Sequence, residues 1–279
     1  MLTALAMMAF AGNSILCRMA LSHTRIDAGG FTLIRIVSGA VVLWAILGSR
    51  RPSRKASGNW LSALALFVYA AGFSFAYSSL SAATGALLLF ASVQVTMIAR
   101  GLWTGERLRG WQPIGLVLAL SGLAGLLLPG LTAPPLGGAA LMLTAGVAWG
   151  MYSLRGKGEG DPLAATAGNF QRAGLLAVAL SVATISHASL DLAGLTYAAA
   201  SGALASGIGY TIWYSAIRGL SATRAATVQL SVPVVAGLGG ALFLGEPLTI
   251  RLVLASAAIL GGAALVVAHT DRARARASD

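Results

Sequence analysis

Few residues of this chain could do chemistry, and most of them stand where chemistry is difficult. The acids are Asp27, Glu106, Glu159, Asp161, Asp191, Glu246, Asp271 and Asp279. Each falls in a gap between apolar runs, at the end of a run, or in the tail. His23 and His187 lie in gaps, His269 lies at the tail, and Cys17 is the single cysteine. A proton pump needs a carboxylate or imidazole within the membrane, and none is placed there. An intramembrane enzyme needs convergent acid–base groups or metal ligands, and the runs offer only hydroxyls and amides. No phosphate-binding Gly-Lys-Ser/Thr loop occurs. One cysteine can form neither an intrachain disulfide nor a zinc cluster. The chain is therefore expected to be no enzyme, to hold no metal and to need no cofactor.

What the apolar runs do hold is amides and rings. Asn13, Gln94 and Gln229 stand near mid-run, where an unpaired amide is expensive, so they are expected to face the bundle interior. They either bridge helices or touch a substrate. Pro233 follows Gln229 by four residues and cannot donate a hydrogen bond, which would free the Gln229 carbonyl and make a hinge. Free carbonyls at membrane depth are tolerated where they line a cavity. Tyr69, Phe73 and Tyr77 recur at one helical face. Tyr210, Trp213 and Tyr214 share another, and Trp149 with Tyr152 a third. Trp44, Trp60, Trp103 and Trp111 sit at run ends, as interfacial anchors do. The deeper rings would hold an apolar or aromatic side chain by stacking and an ammonium by cation–π contact. A carboxylate would need amides, hydroxyls or a helix N-terminus, because this reading puts no Arg or Lys at mid-membrane. Arg35 and Arg172 lie inside their runs, where a charge is costly and by default marks function. Both are also within two turns of a run end, and the preferred expectation is that they snorkel to the headgroups, as do Arg18 and Arg100.

These residues must be positioned by elements that suit lipid. The composition is 57% hydrophobic with only 10% charged residues, and mean hydropathy is +0.81. A soluble domain carries about 25% charged residues. Apolar runs cover 3–21, 29–48, 60–79, 82–103, 111–129, 136–154, 163–186, 194–217, 222–244 and 250–268, each near the ~20 residues that cross a bilayer as helix. The expectation is an all-α integral membrane protein of ten transmembrane helices. Met1–Leu21 lacks the basic start and cleavage site of a signal peptide and reads as the first helix.

The net charge of +11 is spread over short gaps, so it signals topology and not nucleic acid. Arg50, Arg51, Arg54, Lys55, Arg107, Arg109, Arg155, Lys157, Arg218, Arg224 and the tail fall on one side. Basic gaps face the cytoplasm, which puts both termini inside.

The chain is also written twice. Residues 80–127 and 220–267 align without a gap at the offset of Glu246 from Glu106, 140 residues. Phe73 and Trp213 keep the same offset. Asp27…Arg35 resembles Asp161…Arg172. A unit of five spans re-enters the membrane from the opposite side, so residues 1–134 and 135–279 are expected to be inverted five-helix repeats. Gly105-Glu106 and Gly245-Glu246 are repeat partners. Gly would close one helix, and the carboxylate would offset the positive start of the next by ~0.3–1 kcal/mol. Small residues at Ser121/Gly125, Gly146/Gly150, Gly202/Ser206 and Gly237/Ala241 mark close helix approaches.

In these paired Gly-Glu steps, Pro233, Trp149-Gly150, Arg35 and Arg172, the chain resembles the drug/metabolite transporter superfamily, ten-helix EamA type. That resemblance covers almost the whole chain. It implies a carrier that exports small metabolites across a bacterial-type inner membrane. The general likeness is greatest to exporters of aromatic and neutral amino acids. Asn13, Phe73, Tyr77, Gln94, Trp149, Tyr152, Trp213, Tyr214 and Gln229 would then line the pathway between the halves. Facilitated transport or exchange by alternating access is expected. The alternative is a carrier of the same fold for a nucleoside, a sugar or a drug-like compound, with proton coupling as a variant. The partners expected are a small-molecule substrate and the lipid bilayer, and no nucleic acid; the oligomeric state is left open, a monomer included.

Overall fold

The computed structural model describes residues 1–50, 57–103, 110–130, 133–156, 160–217 and 228–278. Among these the regular elements are helices, and no strand occurs. In order they are α1 (Leu2–His23), α2 (Ala28–Arg50), α3 (Trp60–Tyr77), α4 (Ala82–Trp103), α5 (Gln112–Leu127), α6 (Leu136–Gly156) and α7 (Pro162–Ala183). Then α8 (Leu192–Ala200) runs through a π-helical stretch (Ser201–Ile208) into α9 (Gly209–Ile217), followed by α10 (Ser231–Leu244) and α11 (Ile250–Ser278).

Four of these, Leu2–His23, Ala28–Ser49, Trp60–Tyr77 and Ala82–Trp103, are long and apolar enough to cross a membrane. At 1.5 Å per residue they reach about 27–33 Å, the thickness of the hydrocarbon layer. Large apolar side chains cover the outside, among them Leu242, Leu192, Ile250, Leu254 and Val117. Such a surface would aggregate in water and suits lipid.

The starts of the helices explain where the acids went. Asp27 accepts from the Gly30 amide, Asp161 from Ala164 and Asp191 from Gly194, so these carboxylates cap α2, α7 and α8. Asn59 caps α3 in the same way. Each cap satisfies amides that a helix leaves unpaired at its start.

Packing is set by small residues. Helix α6 lies on α3 and α4, α2 on α7 and on the π stretch, α1 on α9 and α10, α4 on α10, and α5 on α11. On α6, Gly146 and Gly150 touch Ser92 and Thr96 of α4 so closely that a methyl group would collide. Gly202 meets the Arg35 carbonyl and the Ser38 hydroxyl of α2 in the same manner. The sequence pairing of Ser121 with Gly125 is corrected: Ser121 is exposed and Gly125 faces open space. The close residue on α5 is Gly122, against Ala258 of α11.

Pro233 stands in the first turn of α10, which starts at Ser231, and a turn at Leu230 separates that helix from the helical residues 228–229. Without an amide hydrogen it cannot donate to the Gln229 carbonyl four residues earlier. Gly105 and Glu106 lie outside the described residues.

Candidate functional site

The interior of the bundle is an aromatic cluster built on one buried arginine. Trp149 of α6 meets Tyr69 and Tyr210, each with ring centroids 4.8 Å away. Phe10 of α1 presents its edge to Trp149, Tyr210 and Trp213 at 5.7–5.9 Å. Tyr69 continues to Phe73, and Phe73 to Tyr77. On the other side Trp149 continues to Tyr152, and Tyr152 to Tyr214. The rings come from α1, α3, α6 and α9. Edge-on and tilted pairs of this kind add about 0.5–1.5 kcal/mol each beyond burial.

Arg35 is the residue that the sequence reading misplaced. It does not snorkel: its side chain is 2% exposed and points inward from α2. Nη2 donates to the Tyr69 hydroxyl at 2.9 Å and to Tyr210 at 3.5 Å. Nε donates to Ser206 Oγ at 3.2 Å. The guanidinium carbon sits 5.1 Å from the Tyr69 ring centre and 4.8 Å from that of Phe73. A cation therefore does stand in the interior, at the level of the midpoint of α3. Among the described residues its buried Nη1 has no hydrogen-bond partner, and neither has Trp213 Nε1.

The π stretch supplies the hydroxyls. Ser201 Oγ donates to Asn13 Oδ1 at 2.6 Å, and Asn13 Nδ2 donates to Tyr69 at 3.3 Å. Ser201 and Ser206 are five residues apart. In an α-helix that spacing leaves them about 140° apart around the axis. The i→i+5 winding of a π-helix brings them to one side, and such bulges gather at functional sites. Sequence reasoning missed Phe10, Arg35, Ser201 and Ser206 as site residues. The hints were the charge of Arg35 inside an apolar run, and Ser206 in the small-residue pair with Gly202, whose lack of a side chain lets the stretch lie on α2.

Of the expected pathway residues, Asn13, Phe73, Tyr77, Trp149, Tyr152, Trp213 and Tyr214 join this continuous network. Tyr77 also ties α3 to α4 by donating to the Ala82 carbonyl at 3.3 Å. Gln94 on α4 and Gln229 ahead of α10 are both buried. A narrow cleft between α3, α6, α7 and α9, with room for about one water molecule, is lined by Ser62, Tyr152, Thr166, Asn169 and Tyr214. It reaches the cluster through Tyr152.

At the other end of the bundle, Gly245 closes α10 with a left-handed φ of 62°. Glu246 does not serve the helix that follows it. Its Oε2 accepts from the Ala82 amide at the start of α4, 2.7 Å away. Its Oε1 pairs with Arg18 Nε at 2.9 Å, the one ion pair among the described residues. Arg18 Nη1 also donates to the Tyr77 carbonyl at 2.9 Å, so Arg18 ties helices together and does not snorkel. Arg172 joins two backbone carbonyls, Ser57 and Gly168, at the bundle edge. Arg100 is exposed.

The model of the EamA-like transporter family matches residues 1–128 and again residues 136–268. An uncharacterized protein of Pseudomonas aeruginosa is 60% identical over 269 residues, which is 96% of this chain and 94% of that protein. A protein of known crystal structure matches with a TM-score of 0.67 over 95% of this chain and 97% of its own, at 19% identity. At that identity the likeness concerns the fold alone.

Proposed function

The chain belongs to the EamA-like transporter family, and on that premise we propose that it is a carrier exporting small metabolites, aromatic and other neutral amino acids foremost, by alternating access. The family makes it an integral membrane protein that transports small molecules; its members are generally not enzymes. The observation that carries the finer reading is the buried cluster of Tyr69, Phe73, Trp149, Tyr210 and Trp213 around Arg35 and Asn13. It offers stacking surfaces for an apolar side chain and polar groups for the rest of an amino acid.

Two halves, 1–134 and 135–279, are supported by the double family match and by the packing. Exchanging the halves turns the α3–α6 contact into that of α9 with α1. It turns α4–α6 into α10–α1, and α2 on the π stretch into α7 on α3. The contacts α2–α7, α4–α10 and α5–α11 map onto themselves. Cargo would sit where the halves meet, inverted in the inner membrane with both termini cytoplasmic.

On that orientation the Arg18–Glu246 pair holds the outer ends of α1, α4 and α10 together. The cleft at Tyr152 faces the cytoplasm. Outward opening would break the pair, and binding energy from the cargo would favour whichever state grips it better. Transport is facilitated or by exchange, since nothing in the cluster relays protons.

The test is counterflow of radiolabelled amino acids into proteoliposomes of the purified protein, with a nucleoside, a sugar and an organic cation as controls. Saturable uptake competed by phenylalanine or tryptophan is the expected result. Uptake of a control alone would discard the amino-acid class, and uphill flux driven by a proton gradient would discard the uncoupled mechanism.

A further inference from the structure

Resting on the carrier reading above, we propose that Arg35 is the anion anchor of the central site, and that the cargo carries a carboxylate which Arg35 Nη1 binds. Three observations carry this. First, Arg35 is enclosed, and its partners are the Tyr69 and Tyr210 phenols, the Ser206 hydroxyl and two ring faces. Among the described residues no carboxylate contacts it. Second, among the described residues Nη1 has no acceptor, and Trp213 Nε1 in the same cluster has none either. Third, the acids whose side chains are described are used elsewhere: Asp27, Asp161 and Asp191 cap helices, and Glu246 pairs with Arg18.

A guanidinium buried without a counter-charge costs several kcal/mol. Phenols and π faces offset only part of that. A carboxylate on the cargo supplies the missing charge and accepts a charge-assisted hydrogen bond from Nη1, the nitrogen that Tyr69, Tyr210 and Ser206 leave unused. The same cation fills the Tyr69 and Phe73 faces. A substrate ammonium would therefore meet repulsion there and gain nothing from them. Recognition is thus by the negative end of the molecule, with an amino group tolerated and not required.

The first measurement needs no variant. Quenching of tryptophan fluorescence in the purified protein is titrated with 3-phenylpropionate, 3-phenylpropionamide, phenethylamine and L-phenylalanine. 3-Phenylpropionate should bind at least about tenfold more tightly than its neutral amide, as expected for a charge-assisted bond. Phenethylamine should be the weakest. The second measurement repeats the titration in Arg35→Gln and Arg35→Lys. The Gln variant should lose about thirtyfold or more toward both carboxylates, as when one partner of a buried charge pair is removed. The Lys variant should keep part of the preference over the amide.

Equal binding of acid and amide by the unaltered protein overturns the proposal even if Arg35→Gln fails to fold. Unchanged carboxylate affinity in a folded Arg35→Gln overturns it too, and leaves amino-acid transport standing if counterflow of phenylalanine persists. Tight, Arg35-dependent binding of 3-phenylpropionate with no counterflow of any amino acid keeps the anchor and discards the amino-acid class. No binding of any of these carboxylates overturns the anchor.

Discussion

Helices α2 and α7 begin alike, on the capping aspartates Asp27 and Asp161, and each carries one arginine within about three turns of its start. Their arginines go to opposite ends of the physical scale. Arg35, eight residues after its aspartate, is enclosed among Tyr69, Phe73, Tyr210 and Ser206, with one nitrogen unpaired among the described residues. Arg172, eleven residues after, lies at the bundle edge and is met by two backbone carbonyls. Eight residues after Asp161 stands Asn169, a buried amide that accepts from the Asn59 backbone and so holds the start of α3 to α7. Two similar helix starts thus lead to a buried charge on α2 and to a neutral amide on α7. The shared feature, the cap, builds the helix. The unshared one, the buried cation, is what a binding site between the halves would use.

The comparison breaks first on transport. Arg35→Gln should lower counterflow about 100-fold, whereas Arg172→Gln should stay within about twofold, because a part-exposed tie to carbonyls is worth little beside a buried charge. Equal losses in the two variants would mean that both arginines merely hold the fold. Size-exclusion profiles in detergent separate that case from loss of function.

A second contrast sits in the glycines. Gly202→Ala would press a methyl group into the Arg35 carbonyl and Ser38 of α2 and should cost about 1–3 kcal/mol, with the loss of the π stretch. Gly125→Ala, facing open space, should be neutral or gain up to about 1 kcal/mol from helix propensity. Thermal melting of the two proteins compares them directly. Trp213→Ala and Gln229→Ala test the second half. Each should cut flux roughly tenfold with membrane insertion unchanged, as for a buried contact residue; near-normal flux in both would remove them from the pathway. The smallest effects belong to what the halves share. Asp27→Ala and Asp161→Ala should each lose about 1 kcal/mol of stability, the value of a helix cap. The Asp27 change should be the larger, since Oδ1 also accepts from the Ser189 amide. Glu246→Gln should lower stability by about 1 kcal/mol through its loosened hold on Arg18 and on the start of α4.

Much of this was written in the order of residues. Apolar runs of bilayer length mark the four membrane-length helices Leu2–His23, Ala28–Ser49, Trp60–Tyr77 and Ala82–Trp103, because hydrocarbon admits no unpaired backbone and leaves few other ways to fold. Asp27, Asp161 and Asp191 mark helix starts because a short carboxylate reaches the free amides of its own first turn. Those are local properties, decided within a few residues, and so are legible. The aromatic spacing on α3 is of the same kind, and it put Tyr69, Phe73 and Tyr77 on one face.

The tertiary structure decided the rest, for a reason of range. Whether a long arginine turns to the headgroups or to the interior depends on what lies across the gap, and for Arg35 the answer comes from Tyr69, Ser206 and Tyr210, up to 175 residues away. The acid beside Gly245 looked as though it served its own next helix; only packing brought the start of α4 and Arg18 within its reach. Ser201 and Ser206 have no common face until the chain winds as a π-helix against α2. The amino-acid sequence determined the helices, their ends and their taste for lipid, because those follow from local chemistry. The tertiary structure alone determined which polar groups share the interior, because that depends on helices meeting, and a lone buried charge takes its meaning from the neighbours it is given.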